Sequence, residues 1–521
     1  MNNYLIGVDI GTGGTKAGIF DEKGQQLAKA YKESNLRHPE PGLVEQDMED
    51  FYMSVIGTIK EIIKKSGVDP VNVAAIALDG QMSGIGTIDK NWEPVTRYDN
   101  WLDIRCEPFI EVMQEKAGKK IFEKAGAPPT YSHGPKILWW KENHPDIFKK
   151  IDKFIVPSSY VAGKMAGLKG KEAFIDYTYL HFTCLADNEN KKWDKDLCRF
   201  FDIPVEKLPR IVEPDTIVGK MTKKAARDCN LIEGIPIVAG AGDTTTTYLG
   251  AGIVEPGIIF DVAGTASVFA SCTESFSPDI EYGTIMCSRS VIKGLWNPIA
   301  FINGGGLCLR WFRDEIARKE SIEAKNEDKD PYNYLNQQAA AVSPGSDNLI
   351  FIPHFGGRVL PPSPNLRGSW VGLSWGQKKA SLYRSILESI AYEYYYYYKI
   401  KKQLYPETEF KEVRVLGGGS KSELWNQIKS DVLNIPYVKV VQEEPAILGS
   451  AIIAGKAVGI FDSIKETSTQ FVDKRKEFTP RKDYHTFYRE YAETYIDLIE
   501  NLKDSYNRLN KLNKLSPPGK K

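Results

Sequence analysis

Three sets of residues have the types and spacing that chemistry on a phosphate chain requires. The first is the run Asp9-Ile-Gly-Thr-Gly-Gly-Thr-Lys16. Phosphate oxygens need donors that come close, and glycine allows this because it has no Cβ to obstruct the ligand. Gly11 and Gly13 offer backbone, Thr12 and Thr15 offer hydroxyls, and Lys16 closes the run. Asp9, at the end of a strand, can hold Mg²⁺ through water, since that hard cation prefers oxygen ligands and keeps part of its hydration. A glycine-rich hairpin without a ligand is the competing reading. The second set is Ala239-Gly-Ala-Gly-Asp243 followed by four threonines. An alcohol attacking a γ-phosphate must shed its proton, and a carboxylate within hydrogen-bond reach can take it. Asp243 could equally cap the helix that the threonines begin. The third set comprises Gly264-Thr265-Ala266-Ser267, Asn303-Gly304-Gly305-Gly306 and Gly417-Gly418-Gly419-Ser420. Each lets a backbone approach a nucleotide, the last at a helix N-terminus whose N–H groups point outward. The chain has no Gly-Lys-Ser or Gly-Lys-Thr and no Gly-x-Gly-x-x-Gly, which sets aside a Walker loop and a dinucleotide fingerprint.

These stretches sit at the ends of predictable elements. Tyr4–Ile10 and Lys16–Phe20 are compact apolar strands, and a third runs through Tyr31, so the chain opens as an antiparallel meander. Asp47 is a plausible helix cap, with Val55, Ile59, Ile62 and Ile63 at helical spacing until Gly67 stops the helix; Val73–Leu78 is the next strand. A related pattern returns at Pro236–Ala241, Ile258–Val262 and Val268–Ala270. Later Val413–Leu416 runs into the last glycine set and a helix from about Ser422 to Leu433, and Ala446–Val458 reads as a further helix. This faint likeness between halves predicts two α/β lobes that meet near residues 242–256. The tyrosine run Tyr394–Tyr398 continues a helix from Ser381, with some rings buried and some wet.

At 521 residues the chain is too long for one ordinary core and suits two large lobes. Lys plus Arg and Asp plus Glu both number 68, and that balance argues against a nucleic-acid or membrane-surface protein. Seven scattered cysteines form no C-x-x-C pair, as in a reduced, cytoplasmic protein. The N-terminus has no signal-peptide pattern, and no apolar run is long enough to span a bilayer.

The ordered set of motifs resembles the FGGY carbohydrate kinases, from about Leu5 to about Asp497. Asp9–Lys16 resembles their first phosphate motif, Gly264–Ser267 the second, Leu416–Ser420 the adenosine motif and Gly242-Asp243 the catalytic aspartate segment. Tyr131-Ser-His-Gly-Pro-Lys136 and Gly368-Ser-Trp-Val-Gly372 are similar to the two family signatures; His133 and Ser381 depart from the usual residues. Gly80-Gln81-Met82-Ser83-Gly84 and Trp101-Leu-Asp103-Ile-Arg105 look most like the xylulokinase branch, except that Ser83 stands where a histidine is usual. The Arg-Glu pair of glycerol kinases is missing.

The resemblance implies an α/β fold of two actin-like (ribonuclease H-like) lobes with a nucleotide cleft between them. Residues 1–248 would form the N-terminal lobe, 249–500 the nucleotide-binding C-terminal lobe and 501–521 a flexible tail. It implies ATP and Mg²⁺ as cofactors, a small sugar as partner, and leaves a homodimer open. Asp243 would be the catalytic base. The sugar would meet Gln81, Met82, Ser83, Trp101, Asp103, Arg105, Tyr131 and Asp243. ATP would meet Gly11, Thr12, Gly13, Thr15, Lys16, Gly264, Thr265, Gly305, Gly418, Gly419 and Ser420, with Asp9 and Asp243 at the metal. D-xylulose is the expected substrate. Another ketopentose or polyol such as ribulose or erythritol competes with it, as does a non-metabolic actin-like ATPase.

Overall fold

The opening meander forms as its closely spaced apolar runs predict. In the computed structural model, which describes residues 3–264 and 266–512, β1 (Tyr4–Ile10), β2 (Gly14–Phe20) and β3 (Gln26–Glu33) pair antiparallel in sequence. Helix α1 (Met48–Ser66) starts where Asp47 accepts from the Glu49 N–H and stops at Gly67, whose φ of 67° is the left-handed conformation glycine favours. It lays Phe51, Val55, Ile59 and Ile62 on the meander and returns the chain to β4 (Val73–Gly80), parallel to β1. After a long insertion, β5 (Ile217–Lys220) and β6 (Pro236–Val238) complete a six-stranded sheet in the order β5-β6-β4-β1-β2-β3. Helix α2 (Asp243–Gly250) then leads out of this lobe.

The second lobe repeats the plan. Strands β7 (Ile258–Ala263), β8 (Ser267–Ser271), β9 (Met286–Arg289) and β10 (Trp296–Ile302) form its antiparallel half. Helix α3 (Lys379–Leu404) buries Ile386, Leu387, Ile390, Tyr394 and Tyr397 while Tyr395, Tyr396 and Tyr398 stay partly exposed, as the tyrosine run predicts. Strand β11 (Glu412–Leu416) lies parallel to β7 and feeds α4 (Glu423–Leu433). With β12 (Tyr437–Val440) and β13 (Lys474–Phe478) the sheet is seven-stranded, in the order β9-β10-β8-β7-β11-β12-β13.

Helix α5 (Pro445–Ala457) joins the lobes by lying on β1 and α2. Backbone meets backbone there: a Cβ on Gly7 would fall 1.9 Å from the Ile447 carbonyl oxygen, and one on Gly449 2.2 Å from that of Thr246. Only glycine permits that approach. Helix α6 (Lys482–Leu512) packs on α3 and α4. It corrects the expected flexible tail: residues 501–512 are helical, and Tyr506 is buried among the core rings. An apolar stripe that continues past residue 500 outweighs the polar composition. Residues 513–521 lie outside the described ones. Among the described residues no helix is long and apolar enough to cross a membrane.

Candidate active site

Three acids converge where strands of the first sheet end. Asp9 on β1 and Asp79 on β4 are register partners on neighbouring parallel strands. Gly80 bridges Gly242, which puts Asp243 at the start of α2 beside them. Burial raises all three pKa values, reinforced at Asp79 and Asp243 by the Asp9 charge, whereas at Asp9 the contacts with Asp79 and Lys16 work against it. Asp9 is raised, Asp79 well above the usual range, and Asp243, with Asp9 as its second cause, to about 7. Asp243 Oδ1 accepts from the Thr244 N–H and hydroxyl. Asp9 Oδ1 and Asp79 Oδ1 are buried with no protein donor. Two orphaned carboxylate oxygens in one polar corner fit a proton or a hydrated cation. Asp79 was not among the expected residues, although Leu78-Asp79-Gly80 has the same acid-after-strand pattern as Asp9 and Asp243.

A buried turn holds Asp243 from behind. The Gly242 N–H donates to Thr178 Oγ1 (2.9 Å), whose hydroxyl donates to Asp176 (2.5 Å), and the Tyr179 hydroxyl donates to the Gly80 carbonyl (2.9 Å). Nothing in the chain's motifs points to these residues, because their role is set by a contact across 64 positions.

The phosphate loop is only partly as expected. The Gly11 N–H donates to the Gly14 carbonyl (3.1 Å) to close the turn, and Gly13 faces open space. Thr15, by contrast, points into the core, where its hydroxyl meets Ser54 Oγ at 2.7 Å, because the strand alternation turns it toward α1. Lys16 pairs with Glu444 at 2.9 Å, across the lobes.

In the second lobe a cavity of about 350 Å³ is lined by Gly264, Gly306, Gly418, Gly419, Asn333 and Trp425, among others. Gly418 has no atom within 4 Å of a Cβ position, which leaves its backbone open to a ligand. Gly305 is a packing glycine: a Cβ would lie 1.7 Å from Ser267 Oγ, and its neighbour Gly306 lines the cavity instead. The Ser420 hydroxyl is turned back to the Gly417 carbonyl (2.8 Å). Thr265 lies outside the described residues.

The residues expected to meet the sugar divide into two layers. Gln81, Met82 and Trp101 border the acids, and Ser83 is the half-buried residue that follows Met82. Met82 packs on Gly242, the Gln81 N–H donates to the Ile10 carbonyl, and the Trp101 indole N–H donates to Thr12 Oγ1 (2.7 Å). Asp103 and Arg105 form the layer beneath. Asp103 is fully buried, accepting from the Val44 N–H and from Arg105, whose guanidinium also meets Glu45 (2.8 Å) and Asp99 (3.3 Å) and lies over Trp139. Lys136 donates to the Asn100 and Asp103 carbonyls, both at 2.9 Å. His133 Nε2 lies 2.7 Å from the Met82 carbonyl, and burial lowers its pKa to about 4, so the ring stays neutral. The Tyr131 hydroxyl donates to Glu107 (3.1 Å).

Comparison with known proteins agrees with this architecture. Residues 4–250 match the N-terminal domain of the FGGY family of carbohydrate kinases, and residues 262–458 its C-terminal domain. A gluconokinase of Bacillus subtilis is 28% identical over 98% of both chains. A xylulose kinase of the same organism is 27% identical over 96% of this chain and 97% of its own. The crystal structure of a gluconate kinase from Lactobacillus acidophilus superposes with a TM-score of 0.87 at 23% identity, covering 98% of this chain and 100% of its own. Two lobes of one plan, matched in order over most of their length, make this chain a member of the FGGY family of carbohydrate kinases.

Proposed function

We propose that this carbohydrate kinase transfers the γ-phosphate of ATP to the terminal hydroxyl of a neutral open-chain sugar, D-xylulose first among them. The observation that carries the neutral substrate is the charge state around Gln81 and Trp101. Arg105 is already paired with three carboxylates, Lys136 is spent on backbone carbonyls and His133 is uncharged. The groups left to meet a ligand are amides, hydroxyls, an indole and acids. Such a surface suits hydroxyl and carbonyl groups and opposes the carboxylate of an aldonate.

In this reading Asp243 accepts the proton of the attacking hydroxyl. Gly11, Thr12 and Gly13 receive phosphate oxygens from one side and Gly264, Gly418 and Gly419 receive the nucleotide from the other. Asp9 and Asp79 would hold Mg²⁺ through their unpartnered oxygens, and that ion, when bound, offsets charge on the phosphates. Asp103 and Arg105 act from beneath, fixing the backbone that carries Asn100 and Trp101. Ser83, shorter than the histidine usual in the xylulokinase branch, leaves room for a water or a different hydroxyl pattern.

The gluconokinase relative supports a second reading, phosphorylation of an aldonate. ADP release measured with D-xylulose, L- and D-ribulose, pentitols, erythritol, glycerol and gluconate separates the two. A ketopentose should give the highest kcat/KM. Gluconate as the best substrate would sink the neutral-sugar reading, and ADP release indifferent to every sugar would sink the kinase mechanism.

A further inference from the structure

The buried amides beside the acids form a closed ring with only one consistent orientation. Asn100 Nδ2 donates to Gln46 Oε1 (2.7 Å) and to Gln81 Oε1 (2.8 Å), which uses both its hydrogens. Gln81 Nε2 donates to the same Gln46 oxygen (2.8 Å). Asn100 Oδ1 accepts from the Leu102 N–H (2.9 Å), which fixes the direction of its amide from outside the ring. Reversing any one amide would set two donors or two acceptors face to face, so the three orientations stand or fall together. Gln46, Gln81 and Asn100 are 2, 1 and 0% exposed, and water cannot replace the lost bonds cheaply.

Two consequences follow from counting hydrogens. Gln81 keeps one Nε2 hydrogen, and Gln46 keeps its whole amide NH₂, outside the ring. Thr12 Oγ1 accepts from the Trp101 indole, so its own hydrogen points to Gln81 Oε1, at 3.4 Å. The ring therefore presents donors, and it ties the phosphate loop to the sugar side.

We propose that Gln46 and Asn100 are positioning residues that lock the Gln81 amide with its N–H toward the sugar, making an acceptor oxygen of the substrate the group recognised there. This rests on the sugar-kinase reading above and adds to it the residues that set substrate preference.

The test compares Gln46→Met, which removes the shared acceptor at similar size, with Gln46→Glu, which keeps an oxygen able to accept both bonds. With D-xylulose, Gln46→Met should raise the KM for sugar about tenfold or more while the KM for ATP changes by less than about twofold. Gln46→Glu should restore the sugar KM to within about threefold of the parent. Asn100→Asp, isosteric but presenting oxygen to two oxygens, should behave like Gln46→Met, and it carries the measurement if Gln46→Met does not fold. An unchanged sugar KM, a parallel rise in both KM values, or failure of Gln46→Glu to rescue would overturn the proposal. If the parent protein prefers gluconate, the substrate reading fails while the same KM comparison, run on gluconate, still decides the ring.

Discussion

A carboxylate can take a proton only if it is ionised when the alcohol arrives, and Asp243 sits near that edge. Burial and the Asp9 charge bring its pKa to about 7, so the proposed base is lost as pH falls through neutrality. The acid limb of kcat/KM for the free enzyme should accordingly bend near pH 7 rather than near the 3.9 of an ordinary aspartate. Asp243→Asn should cut kcat by about 10²–10⁴ and abolish that limb, while ATP still binds when followed by calorimetry. A variant that turns over at the parent rate, or retains the limb, would remove Asp243 from the role. Asp9 and Asp243 were legible from the sequence because each is an acid that ends a buried apolar run among small residues. Asp79 has the same local signature, but its meaning comes from lying beside Asp9 across two strands, and strand register is not written locally. The same holds for Asp103 and Arg105. Their types suggest ligand contacts, yet the fold surrounds them with Glu45, Asp99 and Trp139, which uses up their bonding capacity.

At the scale of elements, α5 joins the lobes by packing on both α2 and β1. Gly449 presses on the Thr246 carbonyl, and a Cβ on Gly250 would lie 1.9 Å from that of Pro445, so the helices meet backbone to backbone at these glycines while Leu249 packs in one cluster with Ile447 and Leu448. Gly449→Ala should raise helix propensity and still destabilise, because a methyl 2.2 Å from a backbone oxygen forces the helices apart at a cost of about 1–3 kcal/mol. Thermal unfolding followed by circular dichroism checks this; a melting temperature equal to or above the parent's would show that the pair can spread freely. The helices themselves were readable. Apolar spacing and Asp47 located α1, and the Ala- and Gly-rich composition located α5 to within one residue. What α5 packs on was not, since Gly7 and Thr246 are hundreds of residues distant and glycines in helices signal close approach without naming the neighbour.

For the whole molecule, the difficulty is discrimination: water can accept a phosphoryl group as well as a sugar can, and Asp243 would activate either. A kinase of this shape suppresses that reaction by assembling the site only around the sugar, which requires the lobes to move. The contacts that span them permit it. The α2–α5 contact is closest at glycines, a geometry suited to small sliding rotations, and the flanking pair Lys29–Glu443 is exposed enough to break at little cost. Lys16–Glu444 joins the expected phosphate loop directly to the N-cap residue of α5, so a shift of that helix reaches the loop. Small-angle scattering with a non-hydrolysable ATP analogue should therefore record a smaller radius of gyration when a ketopentose is added, and hydrolysis of ATP to free phosphate in the absence of sugar should be far slower than transfer to the sugar. A radius that stays constant at saturating sugar, with water and sugar competing on equal terms, would mean that selectivity lies in the pocket alone and that the interlobe glycines serve packing rather than motion.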